Sequence, residues 1–253
     1  MMNKDLLSGL DVYQRFKQAL EHISEYHADA RRLIITGDLT HSAEEQAYKE
    51  LRELLSTLRI PVRLLIGNHD TRETFFEVFE DHPRDSNGFV NYAEDVDDER
   101  LIYLDTVAQG QSVGMFCEKR CQWLSDELER CSRARLFLHH QPFEVGIPSL
   151  DTIAMISPDR QSFRAVIERF KDRVAYMHFG HIHTPVHGTF CGIPFASALP
   201  VAHQSIPEFS QSDYMQFAAM EPAYTVMDVA DRNTMLYQIP YMWSGQIDRY
   251  PTS

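Results

Sequence analysis

Four short apolar runs that each end in metal-binding side chains constrain this 253-residue chain more than any other feature. Each run has the length of a buried strand. The runs and their polar ends are Arg32–Thr36 before Gly37-Asp38, Val62–Ile66 before Gly67-Asn68-His69-Asp70, Arg135–Leu138 before His139-His140, and Val174–Phe179 before Gly180-His181-Ile182-His183. Ligand sites of parallel sheets lie beyond the carboxyl ends of the strands. The four ends therefore predict one shared site.

Helical patterns separate these strands, which predicts a single α/β domain over residues 1–253. Ser42 and Glu45 form a capping-box pattern at the start of one helix. The remaining predictions are helices at 11–27, 120–130 and 159–171, a hairpin of 89–93 and 100–104 around an acidic turn at 94–99, strands at 186–190, 193–197, 224–229 and 234–239, and a long substrate-side or oligomerisation loop at 203–223.

Charge and composition exclude several classes of partner. The net charge of −13 argues against nucleic acid, whose binding proteins need a positive surface. No apolar run approaches the length of a membrane span, and the first residues contain no signal-peptide core, so we expect no membrane partner and a cytoplasmic protein. The four cysteines fit no zinc spacing and are expected to be reduced thiols.

The donors at the strand ends are imidazole, carboxylate and amide groups. One Gly-Asp pair or one histidine is usually a turn or a packed residue, but four successive strand ends are hard to explain in that way. Mixed nitrogen and oxygen donors suit Mn, Fe, Co or Zn and are too rich in nitrogen for Ca or Mg alone.

In combination, the four blocks resemble those of the calcineurin-like metallophosphoesterase superfamily. The flanking segments most resemble its bacterial class III branch of cyclic nucleotide phosphodiesterases and glycerophosphodiesterases. These segments are Ser8-Gly9-Leu10-Asp11, Ile66–Asp70 and His139-His140-Gln141-Pro142. The resemblance covers most of residues 8–204 and implies a four-layer β-sandwich flanked by helices, with two divalent metal ions at its mouth.

The resemblance also implies roles for individual residues. Asp38 would bridge the two metals. Asn68, His139 and His181 would complete one metal site, and His183 would serve the other. His69 would lie beside the phosphate as an acid catalyst or a charge stabiliser, and His203 would lie near the substrate.

Three assignments keep alternatives. Asp70 either orients His69 or a metal ligand, or caps the helix that follows it. His140 either hydrogen-bonds the substrate or a ligand, or has a structural role. His41 could approach the site but is more simply a loop residue.

One departure from the family pattern concerns the second metal. Relatives begin with a strand that ends in an Asp-x-His block, and this block supplies two ligands to the metal that His183 serves. No such block stands before Ser8. Either the start is set too late, which we favour, or this form binds one metal well and the other poorly. We expect low activity from the chain as it stands, and an unpaired gap in its sheet.

The leading hypothesis for function is a metal-dependent hydrolase of small phosphodiesters, either cyclic nucleotides or glycerophosphodiesters. A phosphomonoesterase of the same fold is the alternative. A third reading is a weakly active or inactive metal-binding form that serves as a scaffold. A homo-oligomer is expected in either enzymatic case.

Overall fold

The computed structural model describes residues 9–210 and 213–243. It confirms the mixed α/β class, with helices on both sides of a central mixed sheet. In chain order the elements are α1 (Val12–Tyr26), β1 (Leu33–Ile35), α2 (Glu45–Leu55), β2 (Val62–Leu64), α3 (Arg72–Val78), β3 (Tyr92–Val96), β4 (Glu99–Leu104), α4 (Glu118–Glu129), β5 (Ala134–Leu138), α5 (Pro148–Asp151), α6 (Ser157–Arg169), β6 (Val174–Phe179), β7 (His187–Phe190), β8 (Ile193–Ser197), β9 (Gln204–Ile206), β10 (Gln216–Ala218), β11 (Ala223–Ala230) and β12 (Asn233–Pro240).

The central sheet has six strands in the order β3-β4-β5-β6-β8-β7. Strands β4, β5, β6 and β8 are parallel, and the two edge strands are antiparallel to their neighbours. Alternate side chains of β5 pack into two hydrophobic clusters, one on each face of the sheet. Leu136 and Leu138 pack with the α4 and α6 side, whereas Phe137 packs with the opposite layer. Both faces are therefore buried, as expected for parallel strands.

A second β layer covers the Phe137 face of this sheet. It consists of the parallel pair β1–β2 and the antiparallel pair β11–β12. Side chains of α2 and α3, including Tyr48 and Phe75, join the same core cluster and form the outer layer. The order of layers is helix, six-stranded sheet, second β layer, helix.

The second β layer is interrupted by a cavity of about 1200 Å³. Both β1 and β11 line it, and within residues 9–210 and 213–243 each pairs with one neighbour only. Its floor includes Arg135, Phe137 and His178 of the six-stranded sheet. Apolar β1 is only half-buried as a result.

Three local predictions are wrong. Helix α2 begins after Glu44, and Ser42 does not cap it: Ala43 has a positive φ of 56°, which turns the chain away from Ser42 before the helix starts. The acidic turn is tighter than 94–99. Glu94 belongs to β3 because Arg32 and Arg63 neutralise it, and Asp97 and Asp98 alone connect the strands. The loop at 203–223 contains the antiparallel pair β9–β10.

No helix in the described part of the chain is long and apolar enough to cross a bilayer. The four cysteines are free, as expected.

Candidate metal centre and active site

Four of the predicted metal ligands meet between the two β layers. Asp38 follows β1, Asn68 follows β2, His139 follows β5, and His181 follows β6. The Nε2 atom of His139 lies 3.3 Å from Asp38 Oδ1, 3.3 Å from Asn68 Oδ1 and 3.1 Å from His181 Nδ1. Ligand atoms about 2.0–2.2 Å from one cation lie roughly 3.0–3.6 Å from one another, and the three distances from His139 Nε2 fall in that range.

Hydrogen bonds to backbone carbonyls fix which nitrogen each histidine offers. His139 donates its Nδ1–H to Thr36 O at 2.7 Å, and His181 donates its Nε2–H to Ile153 O at 3.1 Å. A carbonyl can only accept, so in a neutral ring the other nitrogen carries a lone pair. With both rings neutral, these lone pairs and the Asp38 and Asn68 oxygens form a set of acceptors with no proton among them. Such a set is repulsive until a proton on His139 or a cation lies among the atoms, and a metal ion would take the place of that proton.

The electrostatics keep these donors available. Burial, and then His139, lower the pKa of His181 to about 3. Burial alone would raise the pKa of Asp38, but His139 and its hydrogen bond hold that pKa well below its usual range. His139 is also fully buried, and the Asp38 charge outweighs the effect of burial and raises its pKa. The site thus contains an ionised carboxylate and a neutral imidazole at neutral pH.

The backbone at the strand ends is strained where the ligands project. Asp38, His181 and His183 have φ values of 54°, 68° and 53°, a region that residues other than glycine rarely adopt. Strain of this kind collects at functional sites. Gly67 must be a glycine for another reason, since a Cβ there would lie 2.6 Å from His139 Cε1 and overlap Asp38.

Asp70 holds the two ligand loops together. Its carboxylate accepts hydrogen bonds from the backbone N–H groups of Gly67, Leu39 and Thr40 at 2.8–3.1 Å, and from the Tyr48 hydroxyl at 2.8 Å. Thr71, and not Asp70, caps α3, which excludes the capping alternative. With both oxygens in hydrogen bonds to these loops, Asp70 fits the other alternative, in which it orients a metal ligand.

His69 offers one nitrogen to the site. Its backbone N–H donates to Asp38 Oδ1 at 3.1 Å, and its Nδ1–H donates to His41 O at 2.7 Å, which leaves Nε2 to act on a ligand. The His41 ring stacks on the His69 ring at 5.3 Å between centroids. His41 therefore supports His69 through its carbonyl and its ring.

His140 is a fully buried neighbour of the ligands and does not face the solvent. Its Nδ1 bonds to the Thr106 hydroxyl at 2.8 Å, and its ring lies 4.4 Å from that of His181. The ligand atoms of His139, His140 and His181 lie within 4.8 Å of one another. The expectation that His140 contacts the substrate is corrected, because a ring without exposed surface cannot touch one. Burial and His181 hold its pKa well below its usual range.

His183 and His203 lie on the other side of the centre. His183 donates its Nδ1–H to His203 O at 3.0 Å, and the two rings are 4.8 Å apart. Burial, and then His203, lower the pKa of His183 to about 4, so its Nε2 is unprotonated. The charge of Asp38 opposes these two effects on the pKa of His183, and both residues line the same cavity.

Sequence reasoning missed the carbonyl partners of the histidines and the Tyr48 hydroxyl. No sequence signal identifies the carbonyls of Thr36, Ile153 and His41, because every residue has one. Tyr48 was assigned only to the apolar face of α2, and nothing in its spacing indicates a bond to Asp70.

A two-layer β-sandwich with imidazole and carboxylate groups converging at its strand ends defines a metal-centre protein of the phosphoesterase type. The sequence matches the calcineurin-like phosphoesterase family over residues 10–185, well over half of the chain, and the protein belongs to that family.

Curated relatives and solved structures agree with this family. A probable cyclic nucleotide phosphodiesterase of Rhodopseudomonas palustris is 34% identical over 244 residues, covering 94% of this chain and 88% of the relative. A probable glycerophosphodiester phosphodiesterase of Arcobacter nitrofigilis is 26% identical and covers 84% of this chain and 78% of the relative. The crystal structure of a dimetal phosphatase from Danio rerio, at 13% identity, superposes with a TM-score of 0.70 over 91% of this chain and 87% of that one, which supports the fold.

Proposed function

We propose that this protein is a metal-dependent hydrolase of small phosphodiesters, of the cyclic nucleotide or glycerophosphodiester type. The observation that carries the proposal is that donor atoms of Asp38, Asn68 and His181 each lie 3.1–3.3 Å from His139 Nε2. The two relatives described above are named for these two diester classes. The net charge of −13 disfavours a nuclease.

Divalent cations bound here would supply a hydroxide nucleophile near neutral pH and positive charge against the phosphate oxygens. The neutral Asn68 amide adds no negative charge to that position. Asp38, between the His139 side and the His183 side, is the residue that both positions would share. The Nε2 of His69, which is not used in the bond to His41 O, is the nitrogen that would donate a proton to the leaving ester oxygen.

The second metal position is supported by fewer residues. Asp38 and His183 are its candidate ligands among residues 9–210 and 213–243, and the cavity beside β1 adjoins both of them. We propose that a cation binds at this position more weakly than at the position formed with Asn68, His139 and His181.

A metal titration tests this difference. Mn²⁺ is expected to fill one position at a lower concentration than the other, as followed by native mass spectrometry, and His183→Ala should remove only the more weakly bound ion. Two positions that fill at the same concentration would contradict the proposal.

The ester class is tested by comparing rates on matched substrates. Bis(p-nitrophenyl) phosphate should be cleaved faster than p-nitrophenyl phosphate, and 3′,5′-cyclic nucleotide or glycerophosphodiester faster than the corresponding monoester. A wide preference for monoesters would make the protein a phosphomonoesterase. If the fully metallated protein hydrolyses neither ester, the hypothesis of an inactive metal-binding scaffold is favoured.

Further properties belong to the same proposal. The metals are Mn, Fe, Co or Zn, as the nitrogen-rich donors favour. The chain forms one domain and a homo-oligomer, which the exposed Phe209 and Tyr214 support, and it resides in the cytoplasm, in keeping with its free thiols. Metal analysis, light scattering and cell fractionation test these points in turn.

A further inference from the structure

The β9–β10 hairpin is attached directly to the His183 loop. Ser205 of β9 donates its N–H to His183 O at 2.8 Å, while His183 donates its ring N–H to His203 O at 3.0 Å. Arg15 of α1 donates to Ala202 O and Met220 O, each at 3.1 Å, and so joins the two ends of the hairpin. The hairpin therefore has a fixed position relative to the metal centre.

The pairing of the hairpin places one large ring beside the site. Phe217 is opposite Ser205, so its side chain leaves the same face as that buried serine. The Phe217 ring meets the His203 ring edge-on at 4.5 Å and lies 6.2 Å from the His183 ring. It is nevertheless 44% exposed, an unusual state for a phenylalanine that adjoins a buried histidine cluster.

His203 adjoins Phe217 on its buried side. The His203 ring is buried, and its Nδ1 has neither a hydrogen-bond partner nor exposed surface. The exposed Phe217 ring is therefore the part of this pair that a planar group can contact.

We propose that Phe217 determines specificity by stacking on the planar organic group of the diester, a nucleobase, with His203 beside it. The inference rests on the proposed phosphodiesterase function and narrows its substrate class to nucleotide diesters. Bases stack on aromatic side chains regardless of their identity, whereas a glycerol group has no ring face to offer. The ring contributes to binding and takes no part in bond cleavage.

The test compares Phe217→Ala with Phe217→Trp. Phe217→Ala should raise KM for a 3′,5′-cyclic nucleotide about 5- to 20-fold, the lower part of the range for one stacked base, with kcat little changed. KM for a glycerophosphodiester should not change, and Phe217→Trp should keep nucleotide KM near the wild-type value. Phe209→Ala, at a 73% exposed position in the turn of the same hairpin, is the matched control.

A binding measurement separates this inference from the proposed function. Titration of the metallated protein with adenosine monophosphate should show the same 5- to 20-fold loss of affinity in Phe217→Ala, and none in Phe209→Ala. Equal changes for both diesters, or unchanged nucleotide affinity, would overturn the stacking role. If the wild type binds the nucleotide through Phe217 but hydrolyses no diester, the proposed function fails and the inference stands.

Discussion

The two β layers on either side of the candidate metal centre differ in how tightly they are packed. The six-stranded sheet buries both faces, and Leu136 and Leu138 of β5 have no exposed surface. The second layer is split, with the cavity beside half-buried β1. His139 and His181 therefore project from a rigid sheet, whereas Asp38 projects from a layer that depends on Asp70 for its position. The backbone of one half of the site is thus positioned by packing in the six-stranded sheet, and that of the other half by the hydrogen bonds of Asp70.

The largest effect is expected from removing a ligand on the rigid side. His139→Ala should abolish metal binding at the Asp38–Asn68 position and reduce diester hydrolysis by more than about 100-fold, because even outer-sphere partners cost about 10–100-fold. Metal content and kcat/KM measure this. His187→Ala, at an exposed histidine of β7, should match the wild type. Retained metal in His139→Ala would show that the rigid side does not hold it.

Paired core truncations measure the difference between the layers directly. Leu136→Ala, at a fully buried position, should lower the free energy of unfolding by about 2–5 kcal/mol. Ile34→Ala, at a half-buried position that lines the cavity, should cost only about 1 kcal/mol. Denaturant titration gives both values. Equal costs would mean that the cavity is closed in solution and that the two layers are packed alike.

The hydrogen-bonded half of the site is tested at Asp70. Asp70→Asn replaces an acceptor-only carboxylate by a group whose NH₂ must face N–H donors, so the loops of Asp38 and Asn68 should separate. Metal affinity is expected to fall about 10–100-fold, with His139 and His181 unmoved. Tyr48→Phe, which deletes one of the four bonds, should cause a smaller loss. If the metal affinity of Asp70→Asn is unchanged, packing and not the Asp70 hydrogen bonds positions the loops of Asp38 and Asn68.

The smallest effect concerns acid stability at the junction of the layers. His82 lies between Phe75 of α3 and Tyr92 of β3, and burial lowers its pKa from 6.5 to about 4. A histidine with a lowered folded pKa binds fewer protons in the folded state, so its stabilising effect is complete above pH 6.5 and is lost as the pH falls towards 4. His82→Phe should lose less stability over that interval, on the order of 2 kcal/mol less. Identical pH profiles for the two proteins would exclude this role.

The donors of the metal site were predictable because they follow apolar runs. Asp38, Asn68, His139 and His181 each stand at a strand end, and parallel strands bring such ends to one edge. An orienting role for Asp70 was one of two alternatives in the sequence, but its partners were not predictable, because they are backbone N–H groups about 30 residues away in sequence, as well as that of nearby Gly67. The burial of His140 was equally hidden, since adjacent strand residues face opposite sides and only the packing decides which side is open.

By itself, the sequence determined the α/β class and the four strand ends that carry the ligands, because apolar periodicity and adjacent polar residues are local properties of the chain. Three features were decided by the tertiary structure alone. They are the nitrogen that each histidine offers, the hydrogen bonds of Asp70 to two loops, and the contact between Phe217 and His203. These depend on contacts between residues distant in sequence, whose geometry is set when the two β layers pack together.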